Sequence, residues 1–311
     1  MTNLKHRLHE KNMTLLKKEI ITGAHAGQIC RITVLDENGR EQRLIYKEFA
    51  SSRNNEIFIF SKLHPILYPL SKVVDIWDTA PEAILMSDLK APVKKDFNLL
   101  DNQAKKDLLS NILERLAALH TDDHNGSISD LPTHEMSSEW LEWCLDQLDR
   151  LCSEHQWADT SWAKTITNAY RKLNIEHYKT RCPHVITHGD PHLENIFYQN
   201  GQIWFIDWEW AASGSPLRDI TILCQDLYDR DLIQFVRDSY RTIAKKHALS
   251  FSDKDYNQDF TYLYIDHTSM MLAWEIEKFL QGHTNEENIK KMIRFKVAEI
   301  ERVANGKGDA I

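Results

Sequence analysis

The stretch of residues 185–209 constrains the fold of this chain more than any other, because short apolar runs alternate there with polar loops. It reads VITHGDPHLENIFY at 185–198 and IWFIDWE at 203–209. Apolar runs of strand length bounded by Gly, Pro, Asp and Asn predict strands joined by loops, and QNGQ at 199–202 predicts a tight turn between the last two strands. Such a β-hairpin would bring Asp207 back beside the loop that carries Asp190 and Asn195.

These three side chains are of the types that phosphoryl transfer requires. One carboxylate must orient the attacking hydroxyl and accept its proton, and we predict Asp190 for this catalytic role. An amide oxygen and a second carboxylate, from Asn195 and Asp207, are hard ligands of the kind that hold Mg²⁺ against nucleotide phosphates. We therefore predict Asn195 and Asp207 as metal ligands.

The same residues resemble a known family. His188-Gly189-Asp190, with Asn195 five positions after Asp190, and Ile206-Asp207-Trp208-Glu209 are similar to the catalytic loop and metal-binding segment of the aminoglycoside phosphotransferase and choline kinase superfamily. Its fold is similar to that of eukaryotic protein kinases. The resemblance runs from Thr22 to Asp219 and implies ATP and Mg²⁺, with GTP as the alternative nucleotide. The competing interpretation is a polar loop on an unrelated α/β protein.

A loop of small residues near the N-terminus is the candidate nucleotide-covering flap. It separates two predicted strands, 19–22 and 28–34, and consists of Gly23, Ala24, His25, Ala26 and Gly27. Small residues let the backbone approach phosphates closely, so we predict that these five bind the nucleotide. A plain hairpin turn explains the loop equally well, and its spacing departs from the three-glycine pattern of protein kinases.

The resemblance also implies a lysine that meets the α- and β-phosphates and an acid that partners it. The strand after Asn38-Gly39, a strong hairpin signal, carries Lys47 between apolar neighbours. Glu56 follows on the first turn of a predicted helix at 54–63 and is the expected partner. The alternative for Lys47 is a solvated charge at a strand end.

Two further predicted strands, 73–77 and 83–86, lead to a segment that resembles the hinge of the family. There, backbone N–H and C=O groups read the adenine edge, which implies nucleotide-binding roles for Met86, Ser87, Asp88 and Leu89. The alternative is a strand that leaves the sheet. Beyond this segment helical periodicity replaces the strand pattern, so we place the lobe boundary here.

We therefore predict a bilobal, protein-kinase-like α+β fold. Residues 1–88 would form an N-lobe with an antiparallel sheet and one helix, and residues 89–311 a larger, mainly helical C-lobe. Predicted helices include residues 3–18, a long helix with Asp101 as its N-cap, and residues 162–178 and 262–280. The helix after Asp101 ends in LAALH, which resembles the LxxLH signature of the family and implies a structural role for His120.

The histidines of the 184–192 segment allow a competing interpretation. His184, His188 and His192 are spaced four apart, which on a helix would present three imidazoles for zinc. Pro183, Gly189 and Pro191 disfavour a helix there. The resemblance instead implies that His188 steadies the loop and that Asp219 is a structural aspartate capping the following helix. Glu209 is either an acid near the metal or a surface charge.

Composition narrows the class of protein. No apolar run is long enough to span a bilayer, so we expect no membrane segment. Five scattered cysteines without a Cys-x-x-Cys pair indicate free thiols and favour the cytoplasm. The formal net charge of −8 disfavours nucleic-acid binding and is compatible with a cationic small substrate.

The predicted activity is ATP- and Mg²⁺-dependent phosphorylation of a hydroxyl on a small molecule, with aminoglycoside-like or amino-sugar acceptors favoured. Choline, ethanolamine or another small metabolite is the alternative acceptor. A catalytically silent, kinase-fold binding protein is the alternative from another class. The short interval between Asp207 and Asp219 disfavours a protein kinase, because it leaves no recognisable activation segment. Oligomeric state has no sequence signal.

Overall fold

The computed structural model describes residues 2–21, 28–50, 55–121 and 128–306 of the 311-residue chain. The chain divides into two compact units. Unit 1 comprises Met1–Leu99, His124–Leu131 and Leu193–Ala211, and unit 2 comprises Leu100–Asp123, Pro132–His192 and Ala212–Ile311. The lobe boundary between residues 88 and 89 stays a prediction.

Unit 1 is built on a five-stranded antiparallel sheet with the strand order β1-β2-β3-β5-β4. Its strands are β1 Thr14–Ile21, β2 Gln28–Leu35, β3 Glu41–Glu48, β4 Val73–Trp77 and β5 Ala83–Ser87, and its helices are α1 Thr2–Glu10, α2 Asn55–Leu67 and α3 Lys94–Phe97. Alternate residues of β2, Cys30, Ile32 and Val34, are buried in one cluster with Leu4 and Leu8 of α1. This period of two is what the pleat of a half-covered strand requires.

The predicted hairpin of the 185–209 stretch is confirmed in unit 1. Strands β7 Ile196–Gln199 and β8 Gln202–Phe205 pair antiparallel through a two-residue turn. Asn200 and Gly201 have φ values of 53° and 76°, the left-handed backbone that an Asn-Gly turn adopts readily.

Unit 2 is mainly helical. Its helices are α4 Asn102–His120, α5 Glu139–Glu154, α6 Ser161–Leu173, α7 Leu217–Leu223, α8 Arg230–Lys246, α9 Asp253–Leu280 and α10 Glu286–Ala304, and its antiparallel strands are β6 Val185–Thr187 and β9 Ala212–Gly214. The predicted cap of α4 is confirmed, because the Asp101 side chain accepts a hydrogen bond of 2.8 Å from the Ala104 N–H.

The long helix α9 anchors the segments that lead into β6 and α7. Its Asp259, which is fully buried, accepts hydrogen bonds from Tyr178 Oη at 2.6 Å, from the N–H groups of Arg181 and Cys182 at 2.8 and 3.0 Å, and from Ser215 Oγ at 2.8 Å. One carboxylate therefore fixes the segment before β6 and the residue after β9, which lie at the same end of the strand pair.

Two predicted helices differ from the structure. The leading helix ends at Glu10, because Asn12 turns at a φ of 57° and the chain from Thr14 pairs with β2 as a strand. The helix predicted at 162–178 ends at Leu173, since Asn174 adopts the left-handed conformation that terminates helices.

The predicted α+β class, with a small antiparallel sheet and a larger helical part, is confirmed. The predicted flap, Gly23 to Gly27, lies outside the described residues. Within the described part of the chain, no helix is both long and apolar enough to cross a bilayer.

Candidate active site

Three predicted site residues meet in unit 1. The Lys47 ammonium lies 2.7 Å from Glu56 Oε2 and 2.8 Å from Asp207 Oδ1. The Glu56 side chain is fully buried, whereas those of Lys47 and Asp207 are 14% and 36% exposed. Lys47 thus contacts one buried carboxylate, from Glu56, and one partly exposed carboxylate, from Asp207.

Regular elements position this trio. Lys47 lies next to the end of β3, opposite Ile84 of β5 in the sheet register, and Glu56 is on the first turn of α2. The second oxygen of Glu56, Oε1, accepts a hydrogen bond of 3.2 Å from the N–H of Trp208. Glu56 therefore contacts both Lys47 on β3 and Trp208, the residue that follows Asp207.

The β7–β8 hairpin positions the two predicted metal ligands. The Ile206 N–H donates to the Asn195 carbonyl at 3.1 Å, so Asn195 and Asp207 lie at the same end of the hairpin. Asp207 has a φ of 65°, a left-handed conformation that non-glycine residues adopt rarely and at some cost. Such strain concentrates at functional sites, which agrees with a role for this carboxylate.

Burial and charge act against each other in the trio. Burial lowers the pKa of Lys47, but the carboxylates of Glu56 and Asp207 outweigh it and the net shift is upward. Burial raises the pKa of Glu56, and the attraction of Lys47 only partly offsets this. Lys47 therefore stays a cation near neutral pH, as contact with phosphates requires.

The predicted hinge borders a cavity in unit 1. Met86 and Leu89 line a small cavity, with no room for a water molecule, that also touches Glu56 and the residue before Asp207, Ile206. The Ser87 N–H donates to the Lys72 carbonyl at 2.9 Å, and the Asp88 N–H donates to the Arg43 carbonyl at 3.1 Å. Of the four predicted hinge residues, Met86 and Leu89 thus face the cavity.

In unit 2 the segment His188–Asp190 is held by Asp219. The Asp219 carboxylate accepts the N–H groups of His188 and Gly189, both at 2.8 Å, and lies 3.0 Å from His120 Nε2. His120 Nδ1 lies 2.6 Å from Tyr240 Oη, which supports the structural role predicted for His120. The expectation that Asp219 caps a helix is wrong: it lies inside α7, and its carboxylate binds the loop instead.

The electrostatics of Asp219 follow from this arrangement. Burial raises its pKa, but the hydrogen bond and charge of His120 and the Gly189 N–H lower it by more, so that the net shift is downward. An ionised, buried acid is therefore what orders the backbone just before Asp190.

The predicted catalytic residue, Asp190, lies next to two histidines. Its N–H donates to His188 Nδ1 at 3.1 Å, and its Oδ2 lies 3.3 Å from His192 Nε2. The side chain is 25% exposed, so the carboxylate is accessible to solvent. Asp190 belongs to unit 2, whereas Asn195 belongs to unit 1.

The zinc interpretation of His184, His188 and His192 is not supported. His188 follows strand β6, so the three residues do not share a helix face, and His184 Nε2 is paired with Thr180. Among the described residues there is no group of three or more His, Cys, Asp or Glu side chains suited to a metal. A site of one carboxylate and one amide oxygen, with nucleotide phosphates completing it, is compatible with that finding.

Sequence reasoning gave no role to Arg218. This buried arginine donates from Nη1 to Thr187 Oγ1 at 3.0 Å and interacts electrostatically with Asp190 and Asp219. Its position next to Asp219 in the sequence was the available signal, but a buried arginine cannot be distinguished from a surface one without the fold.

The fold and these residues define the chain as a kinase-like phosphotransferase. A family model described as "Phosphotransferase enzyme family" matches residues 39–244, about two thirds of the sequence. The chain belongs to this family and is a small-molecule kinase with an alcohol group as acceptor. A search of curated proteins found no significant match.

Solved structures agree on the fold. A spectinomycin phosphotransferase with ADP and spectinomycin has a TM-score of 0.62 at 14% identity, covering 98% of both chains. Wild-type aminoglycoside 2'-phosphotransferase-IIIa with GDP has a TM-score of 0.59 at 14% identity, covering 98% of both chains. A choline kinase from Streptococcus pneumoniae has a TM-score of 0.57 at 15% identity, covering 96% of this chain and 98% of its own. The predicted kinase-like fold is therefore confirmed.

Proposed function

We propose that this protein transfers the γ-phosphoryl group of ATP, in the presence of Mg²⁺, to a hydroxyl of an aminoglycoside-like or amino-sugar acceptor. The contact of Lys47 with Glu56 and Asp207 carries the proposal, because it presents a fixed cation beside an accessible carboxylate. GTP is the alternative nucleotide, since a related structure contains GDP.

Each residue has a distinct task in the proposed reaction. Lys47 binds the α- and β-phosphates, while Glu56 fixes its position. Asp190 orients the acceptor hydroxyl and takes its proton as the phosphoryl group leaves the nucleotide. In such a loose transition state positioning and charge stabilisation dominate, so rigid supports such as Asp219 contribute indirectly.

The proposed metal fits the donor set of unit 1. The Asp207 carboxylate and the Asn195 amide are hard oxygen donors, placed at one end of the β7–β8 hairpin, and Mg²⁺ uses few protein ligands of this type. The metal would supply charge neutralisation on the transferred phosphoryl group.

The nucleotide base is proposed to bind beside Met86 and Leu89. The cavity that these residues line has no room for a water molecule, so the base would have to widen it, and its apolar lining includes Phe60 and Trp208.

Acidic groups in unit 2 favour an amine-bearing acceptor. Burial raises the pKa of Tyr228, and the nearby charges of Glu275 and Asp226 raise it further. An acceptor's ammonium groups would meet Asp226 and Glu275 here, in competition with Lys278, which lies 3.5 Å from Glu275, and with Lys296, whose ammonium lies 5.4 Å from the centroid of the Tyr228 ring.

Choline or ethanolamine is the second candidate acceptor. The Trp143 ring lies 6.0 Å from that of Trp140 and 6.4 Å from that of Trp274, at interplanar angles of 51° and 56°, giving unit 2 a half-buried aromatic surface. Aromatic faces attract quaternary ammonium groups, which favours this class.

The proposed location is the cytoplasm. All five cysteines are free, and four of them are buried. Free thiols are typical of a reducing compartment.

The test is nucleoside-diphosphate release from ATP or GTP with Mg²⁺, across aminoglycosides, amino sugars, choline and ethanolamine. The Asp190→Asn protein serves as the blank. Release stimulated by one acceptor class, and absent in the blank, would support the proposal and identify that class. Failure of the wild-type protein to bind any nucleotide would overturn it.

A further inference from the structure

The carboxylate of Asp88, in the predicted hinge, is bound from three directions. Arg31 of β2 donates from Nε to Oδ2 at 2.8 Å and from Nη2 to Oδ1 at 3.5 Å. The Lys90 N–H donates to Oδ1 at 3.1 Å, and Arg43 Nε of β3 lies 3.5 Å from Oδ2. We call Arg31, Asp88 and Lys90 the Asp88 clamp, and Arg43 is an exposed, peripheral contact of it.

The contacts of the clamp differ in strength. The Asp88 and Arg31 side chains are 5% and 29% exposed, whereas that of Arg43 is 59% exposed. A charge-assisted, two-point contact with a guanidinium is strong and directional when it is shielded from water. An exposed contact at 3.5 Å contributes little. Arg31 is therefore the principal partner of Asp88.

The clamp encloses Leu89, whose side chain lines the cavity beside Met86. The N–H groups of the residues before and after Leu89 already have acceptors. The Asp88 N–H donates to the Arg43 carbonyl, and the Lys90 N–H donates to the Asp88 carboxylate. In the described part of the chain, the Leu89 N–H has no acceptor. Lys90 has a φ of 70°, an unfavourable conformation that the bond to Asp88 helps to hold.

We propose that Asp88 is a positioning residue for the nucleotide: held by Arg31, its carboxylate fixes the backbone so that the Leu89 N–H donates to the base. The proposal rests on the proposed nucleotide-dependent function. Asp88 then acts through Leu89 without touching the nucleotide with its own side chain.

The experiment measures dissociation constants by calorimetry for Mg²⁺–ADP, Mg²⁺–GDP and Mg²⁺–tripolyphosphate, which has phosphates but no base. The proteins are wild type, Asp88→Asn, Arg31→Gln and the double variant, with Arg43→Gln as the matched control. We expect Asp88→Asn and Arg31→Gln each to weaken the better-bound nucleotide about tenfold, as loss of a charge-assisted hydrogen bond would. The double variant should lose little more, since both changes break one contact. Arg43→Gln should change affinity less than about twofold.

Tripolyphosphate separates positioning from general damage, because a misfolded or loosened sheet would weaken both kinds of ligand. Unchanged tripolyphosphate affinity together with weaker nucleotide binding supports the proposal. The proposal is overturned if nucleotide and tripolyphosphate affinity fall equally, or if Asp88→Asn and Arg31→Gln keep full nucleotide affinity. Neither result contradicts the proposed function. If wild type binds neither nucleotide, the proposed function fails and this inference fails with it.

Discussion

Asp190 is the proposed proton acceptor, with its N–H bonded to His188 Nδ1 and its carboxylate partly exposed. Replacing it by asparagine preserves size and removes the proton acceptor. We expect Asp190→Asn to lower kcat by about 10²- to 10⁴-fold while nucleotide affinity changes less than about twofold. Steady-state kinetics with the acceptor found by the panel, together with calorimetry, measure the two quantities.

The matched control for that change is Glu194→Gln, which neutralises an exposed acid four residues further along the same loop. Its kcat should stay close to that of wild type. A comparable loss in both variants would mean that the loop needs its overall negative charge and that Asp190 has no special role.

Asp266 on α9 gives a prediction about pH and stability. Its Oδ1 accepts a hydrogen bond of 2.8 Å from Tyr170 Oη, its Oδ2 has no partner among the described residues, and burial raises its pKa to about 7. The unfolded chain releases this proton near pH 4, so the folded state holds it more tightly between about pH 4 and 7. The contribution of Asp266 to stability therefore falls as pH rises through that window.

Asp266→Asn removes this titration and retains an acceptor for Tyr170. As pH rises from 5 to 8, we expect the free energy of unfolding of the variant to increase relative to that of wild type by up to about 2.7 kcal/mol, because about two pH units of the titration window lie in this range at about 1.36 kcal/mol each. Urea unfolding at both pH values measures the difference. The control Asp149→Asn, at an exposed position of α5, should show the same dependence of unfolding free energy on pH as wild type. If Asp266→Asn also shows the wild-type dependence, the buried acid does not titrate in this range.

At the scale of elements, α9 stabilises the region around β6 through Asp259. Its carboxylate accepts four hydrogen bonds from Tyr178, Arg181, Cys182 and Ser215. Removing it leaves several buried donors without an acceptor, each at a cost of about 1–3 kcal/mol. We expect Asp259→Ala to lower the free energy of unfolding by about 3 kcal/mol or more, and amide hydrogen exchange to accelerate in residues 178–187.

Tyr178→Phe is the graded control, since it removes one of the four donors and leaves the acceptor in place. It should cost about 1 kcal/mol. If Tyr178→Phe and Asp259→Ala were equally destabilising, a single bond would account for the effect and α9 would not organise both flanking segments.

The elements also show which parts of the site the sequence could predict. The β7–β8 hairpin follows from its apolar runs and the Asn200-Gly201 turn, both of which are local signals. Lys47 and Glu56 follow from the resemblance and the order of strand and helix. Their functional roles, like that of Asp190, remain predictions.

Long-range partners were not predictable in the same way. His120 and Asp219 are 99 residues apart, and Arg31 and Asp88 are 57 apart. Neither spacing has a periodicity that would reveal the contact, because the pairing depends on how distant elements pack. The function of Asp219 was therefore misread as a helix cap, although its structural importance was recognised.

At the scale of the whole molecule, the candidate residues belong to different compact units: the Lys47 trio, Asn195 and the hinge to unit 1, and Asp190 to unit 2. Ligand binding should show in stability as well as in turnover, because a ligand that binds only the folded state stabilises that state. A ligand present at about 100 times its Kd stabilises the folded state by about 2.7 kcal/mol. We expect Mg²⁺–ADP at that level to raise the melting temperature by several degrees.

The part of that shift that depends on Mg²⁺ should shrink strongly in Asp207→Asn, because an amide oxygen binds Mg²⁺ more weakly than a carboxylate and the site then has no charged ligand, and it should persist in Asp190→Asn. Differential scanning fluorimetry with ADP, in the presence of Mg²⁺ or of EDTA, measures both. Loss of the salt bridge to Lys47 would itself alter the melting temperature of Asp207→Asn, so each protein is compared with its own ligand-free sample. A shift that is equally large with and without Mg²⁺ in wild type would remove the metal from the proposed mechanism, while leaving the base and phosphate contacts of unit 1 intact.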